Sequence, residues 1–183
     1  METSDSADLL SLITERGFEY WASRNSLSPF TRDALLNAKI VLVPHENFGE
    51  QVLPVFPDNT TELFRSLREQ APEGITVEIA VEDKDYREVA LHSELVRLAT
   101  ILVQWIVAPV AVGLLVEYLK TSLGPRFSQS QVEMSLIVEQ ECRNGRRAFQ
   151  LNYKGPAESF AQTVNSSLAK AATSEAVPPD RED

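Results

Sequence analysis

Few residues in this chain have the types and spacing that chemistry requires. His45 and Glu46, with Glu50 shortly after them in HENFGE, offer an imidazole and carboxylates that could ligate a metal or activate a water. The stretch lacks the second histidine that completes a zincin helix. The only other histidine, His92, precedes Ser93 and Glu94. Those two read as the N-cap and first-turn acid of a helix, not as members of a nucleophilic triad. Two histidines also fall short of the familiar three-ligand zinc sets unless carboxylates complete them. Asp83 and Asp85 flank Lys84 in a turn, where solvation accounts for them without paired-carboxylate catalysis. None of the seven glycines stands in a GxGxxG or P-loop arrangement. The single cysteine, Cys142, excludes an intrachain disulfide and reads as a partly exposed thiol beside a turn. The chain is therefore expected to carry no catalytic set, no metal and no cofactor. A hydrolase using His45 and Glu46 stands as the enzymatic alternative.

The charge balance bears on partners. With 17 basic and 27 acidic residues the formal charge is −10, a field that repels a phosphate backbone. Arg143, Arg146 and Arg147 form the one tight basic group and read as a solvated turn, so no nucleic-acid partner is expected. The opening METSDSADLL has neither a basic n-region nor an apolar h-region, which predicts no cleavable signal and a cytoplasmic protein.

Elements that would position these residues follow from periodicity. Leu9, Leu10, Ile13, Tyr20 and Trp21 recur at helical spacing and predict a helix from Ser4 to about Ser23, with Gly17 weakening its middle. Ser28-Pro29 starts a second helix, reaching about Asn37 and turning Phe30, Ala34 and Leu35 inward. Residues 1–37 thus read as an N-terminal helical region. The run KIVLV, Lys39 to Val43, is apolar without alternation and predicts a strand buried on both faces. Pro54 and Pro57 confine the next extended piece to an edge. Asn59 with Glu62 predicts a capped helix burying Leu63, Phe64 and Leu67.

Two hairpins are expected. Ile75 to Val81 would pair with Arg87 to Leu91 across the turn Glu82-Asp83-Lys84-Asp85. Val132, Met134, Leu136 and Val138 would pair with Phe149, Leu151 and Tyr153 across a type I′ turn at Asn144-Gly145. A closing helix from Pro156 to about Ala172 presents Phe160, Val164 and Leu168, and residues 173–183 read as a disordered acidic tail.

Between the hairpins, LATILVQWIVAPVAVGLLV runs from Leu98 to Val116 without a formal charge. As one helix its length would be about 28 Å, close to the hydrocarbon thickness of a bilayer. The flanking amphipathic elements all need an apolar partner, however, and this segment is the largest available. The expected architecture for residues 38–172 is therefore α+β: a long apolar central helix packed by two β-hairpins, a buried strand and several amphipathic helices. Gln104, Trp105, Pro109 and Gly113 would organise that helix, with Pro109 a kink and Gly113 a close-packing point. The alternative is a single inner-membrane span through Leu98 to Val116.

From Asn59 to Val164 the chain shows a capped helix, the strand ITVEIAV, the apolar LATILVQWIVAPVAVGLLVEYL, the hairpin VEMSLIVEQECRNGRRAFQLNY and a helix after GPAESF. With VLVPHENF, VFPDNTTELF, DYREVALHSEL and YKGPAESF, this order resembles the effector-associated constant component type of accessory protein in bacterial conflict and phage-defence systems. The long N-terminal region departs from that pattern. The resemblance implies a non-catalytic accessory subunit, with no catalytic set to transfer. The functional expectation is an accessory or scaffold protein acting through a protein partner or self-association. His45, Glu46, Phe48, Asn144 and Gly145 are its candidate contacts. A membrane-anchored or membrane-perturbing effector is the alternative.

Overall fold

The computed structural model describes residues 7–46, 54–90 and 94–174. In chain order the elements are β1 (Asp8–Thr14), α1 (Phe18–Ala22), α2 (Pro29–Asn37), β2 (Ile40–Val43), β3 (Phe56–Pro57), α3 (Thr60–Gln70), β4 (Val77–Ile79), β5 (Glu88–Val89), β6 (Val96–Arg97), β7 (Thr100–Gln104), α4 (Ala108–Leu123), β8 (Gln131–Cys142), β9 (Gly145–Pro156) and α5 (Phe160–Ser174). The fold is α+β with one long apolar helix.

The alternating residues after Gln131 build the expected hairpin: β8 and β9 pair antiparallel from Gln131↔Pro156 to Cys142↔Gly145. Its turn differs from the expected one. The register makes Arg143 and Asn144 the central residues, and neither has the positive φ that a type I′ turn requires at both. Gly145 instead takes the left-handed conformation (φ 121°) as the first returning residue.

Around this hairpin a seven-stranded mixed sheet runs β1-β9-β8-β7-β2-β4, with β6 joining β8. KIVLV behaves as its composition demands. All four residues of β2 are buried, between antiparallel β7 and parallel β4. Alternate residues feed two cores. Ile40, Leu42, Ile101, Val103, Leu136 and Leu151 face α3, α4 and α5. Val41, Val43, Leu102 and Ile137 face Phe18, Trp21 and Leu35 of α1 and α2. Phe160, Val164 and Leu168 of α5 are buried as periodicity predicts.

The central segment is not one helix. Thr100–Gln104 forms β7, pairing with β2 and β8, and a 3-10 turn at Trp105–Val107 leads into α4. A strand buried on both faces is as continuously apolar as a core helix, so periodicity cannot separate them. Pro109 lies in the first turn of α4, where its missing N–H costs nothing, and so it starts the helix instead of kinking it. Gly113 is exposed, and a Cβ there would meet nothing within 4 Å, so it is not a packing point. Gln104 ends the strand, accepting from Lys39 Nζ at 3.1 Å and donating to the Ala38 carbonyl at 3.3 Å. The helix does bury a full stripe, including Ala108, Val112, Leu115 and Leu119.

At the N-terminus the expected long helix is a strand followed by the short α1. The described part of the expected N-terminal helical region 1–37, residues 7–37, is not a separate helical unit, because β1 pairs along its whole length with β9. Its approach needs Gly155, where a Cβ would lie 2.8 Å from Ala7 Cα. Ser28 caps α2 as expected, its Oγ accepting from Thr31 N at 3.2 Å. Phe30, by contrast, is 85% exposed while Leu35 is buried.

The expected first hairpin is absent: β4 joins β2 and β5 joins β3, both in parallel. Asn59 precedes α3 with φ 64° and makes no side-chain cap. Glu88 supplies that cap from a distant strand, Oε1 accepting from Thr61 N at 2.8 Å. The expected cap at Ser93 and the tail from residue 175 onward lie outside the described residues.

Candidate interaction surface

The chain leaves the sheet at Gln104, and that exit creates an apolar concavity on the surface. The 3-10 turn places Trp105 and Ile106 beside the start of α4, opposite the last turns of α5. Trp105 and Ile106 with Pro109 form one wall of a groove of about 700 Å3, and Leu168, Ala169 and Ala172 form the other. Ile106 is 80% exposed. Trp105 is half-buried, its ring 6.0 Å from that of Phe149. Phe149 pairs in register with Ile13 of β1, which is 82% exposed. Trp105 and Ile106 thus leave an exposed apolar area at the groove, apart from the exposed side chains of the outer strand. Contiguous exposed apolar area of this kind marks binding surfaces on folded chains. Of the residues picked from the sequence as helix organisers, Trp105 and Pro109 meet here, on the surface. Gln104 sits at the strand end beside them, and Gly113 lies farther along α4.

Comparison with family models, curated proteins and solved structures finds no match.

The loop candidates fall elsewhere. His45 exchanges backbone hydrogen bonds with Val55, and burial holds its imidazole below the ordinary value. The charges it feels are those of Glu133 and Arg97. Glu46 is the centre of an ion cluster. Tyr20 Oη donates to its Oε1 at 2.6 Å, the Arg24 guanidinium reaches the same oxygen, and Arg16 pairs with Oε2 at 2.6 Å. Burial pushes this carboxyl up, but the Tyr20 hydroxyl and the two guanidinium groups more than offset that, leaving it below the ordinary value. The same contact raises the Tyr20 hydroxyl. Both carboxylate oxygens are thus engaged in fastening α1 to the end of β2, the arrangement of a structural cluster. Phe48 lies outside the described residues. Asn144 stands exposed in the hairpin turn, and Gly145 follows it as the first returning residue, so the turn is shifted by one from the expected Asn144-Gly145. Beside them Arg146 sits 3.6 Å from Glu139, 3.9 Å from Glu141 and 4.0 Å from Glu19, so the charge of this arginine is balanced by carboxylates. Among the described residues no three His, Cys, Asp or Glu side chains are grouped to hold a metal.

The Glu46 cluster gives a pH signature. A carboxyl lowered in the folded state contributes stability above its unfolded pKa, and that contribution is lost as pH falls through the folded value. Glu46→Gln is therefore expected to cost about 1 kcal/mol at neutral pH, discounted for the solvent exposure of Arg16 and Arg24. The variant should also show a shallower loss of thermal stability on acidification. Parallel Tm-against-pH curves for the two proteins would refute the cluster's role.

Sequence reasoning missed the groove because Ile106 and Trp105 sit inside an uninterrupted apolar run. The available signal was Pro109, which by its preference for the first helical turn dates the start of α4 and hence the exposed turn before it.

Proposed function

We propose that this chain is a non-enzymatic accessory or scaffold protein that acts by holding a segment of another protein in the groove between α4 and α5. The observation that carries the reading is the exposed apolar wall of Trp105, Ile106 and Pro109 facing Leu168 and Ala172. A groove with almost no polar lining suits the apolar face of a helix or a short apolar segment, with an aromatic ring in its wall as anchor. The resemblance to accessory components of bacterial conflict and defence systems supports a role without chemistry, with a partner from such an assembly in the cytoplasm.

The test is site-specific photo-crosslinking from position 106 in cells, followed by reconstitution with the purified partner. The expected result is one dominant crosslinked protein whose binding is lost in Ile106→Asp and retained in a control substituted at Asn144. Equal crosslinking from positions 106 and 144 would sink the reading.

A second reading rests on a different observation. The helical stretch Trp105–Gln129 is, among the described residues, the one long and apolar enough to cross a membrane, with mean hydropathy 1.5. One stripe of it is buried against the sheet, while Pro109, Gly113, Glu117 and Lys120 lie on the exposed side. Insertion would require α4 to abandon that core. Recovery of the protein only in carbonate-washed membranes would favour the span and overturn the groove.

A further inference from the structure

The two edges of the main sheet are built differently. β4 closes one side with three residues. β1 closes the other with seven, DLLSLIT, in unbroken register with β9. Among the described residues nothing pairs with the outer edge of β1. Folded proteins usually blunt such an edge with proline, a bulge or an inward charge, and residues 9–13 have none of these. Instead the strand leaves Leu10 55%, Leu12 47% and Ile13 82% exposed.

We propose that this edge is the self-association site of the protein, and that its occupant is β1 of a second copy, paired antiparallel about a two-fold axis at Ser11. The pattern of the strand singles out this partner. About Ser11 the sequence is symmetric in type: Leu9 would face Ile13 of the other copy, and Leu10 would face Leu12, each pair twice over. Leu10 and Leu12 lie on the sheet face of Gln150 and Asn152, while Leu9 and Ile13 lie on the opposite face with Tyr153 and Phe149. Pairing therefore covers apolar side chains on both faces at once, which a two-fold interface requires of a single patch. It also lays Asp8 opposite Thr14 of the other strand, so no like charges face each other within the paired residues 8–14. The backbone hydrogen bonds continue one sheet through both copies. Each copy carries a formal charge of −10, so association strengthens as ionic strength rises.

This dimer stands apart from the groove, and the two fail separately: Ile106→Asp removes groove binding and leaves the dimer intact. The test is sedimentation velocity of the full chain over a concentration series, with charge-swapped variants at the two solvent-facing leucines. Leu10→Lys/Leu12→Lys and Leu10→Glu/Leu12→Glu each place like charges directly opposite one another across the axis. Each is expected to run as a folded monomer, and an equimolar mixture is expected to restore the dimer. Ser11→Cys in a Cys142→Ser background provides a second measurement that does not depend on those variants folding. Oxidation should give a disulfide-linked dimer, whereas Asn144→Cys in the same background should not. A wild-type chain that stays monomeric at every concentration, or a dimer indifferent to the charge swaps, overturns the proposal.

Discussion

Leu102→Ala is expected to lower the free energy of unfolding by about 2–5 kcal/mol, whereas Ile106→Ala, four residues later, should change it by no more than about 0.5 kcal/mol. On one continuous helix these two positions would share a face and respond alike. In the structure Leu102 is 0% exposed, pointing from the middle of β7 into the layer of Trp21 and Leu35. Ile106 is 80% exposed on the turn that follows. The large cost at Leu102 combines the lost transfer free energy of the side chain with a cavity that two packed layers cannot close. Urea unfolding of the two variants beside the wild type decides the matter. Comparable losses at both positions would return the segment to a single buried helix and remove the exposed wall of the groove.

Trp21→Ala should cost about 3–5 kcal/mol. The α1–α2 layer is built from two short helices, and Trp21 ties them to the sheet in several ways. It is 2% exposed, its Nε1–H donates to the Arg16 carbonyl at 3.2 Å, Tyr20 packs edge-on against it, and the Arg24 guanidinium lies 5.3 Å from its ring centre. Truncation removes an aromatic body from a thin layer and also strands the arginine that helps to hold Glu46. The chain has two tryptophans, so a Trp105→Phe background reports Trp21 alone. Its emission should be blue-shifted in the native state and move red in one step with urea. A cost below about 1 kcal/mol would show that α1 and α2 do not pack on the sheet as described.

How much of this could be read from residues depends on how far each decision reaches along the chain. The β8–β9 hairpin, α2, α3, α5 and the burial of KIVLV were all legible, because each is set by a repeat or a cap within a few residues. Ser28-Pro29 starts α2 with atoms that are neighbours in sequence, and Phe160, Val164 and Leu168 mark the buried stripe of α5 by spacing alone.

The failures share one physical cause. DLLSLIT and TILVQ carry apolar residues that fit either a helix stripe or a strand, and the choice was made by partners far away: β9 for the first, β2 and β8 for the second. Local propensity is weak against a whole ladder of hydrogen bonds and two packed faces. The same holds for the ends of elements. Phe18 N donates to Glu139 Oε2 at 2.9 Å, and a Cβ at Gly17 would lie 1.9 Å from that oxygen, so a larger residue there would have to displace this carboxylate. Nothing near Gly17 in the sequence names Glu139. The sequence alone thus determined the apolar surplus from Leu98 to Val116 and its punctuation at Pro109. Only the tertiary structure decided that its first part is a sheet strand and its second part a helix. That division leaves Trp105 and Ile106 at the surface because the chain must turn between the two layers, and a turn has no second layer to cover it.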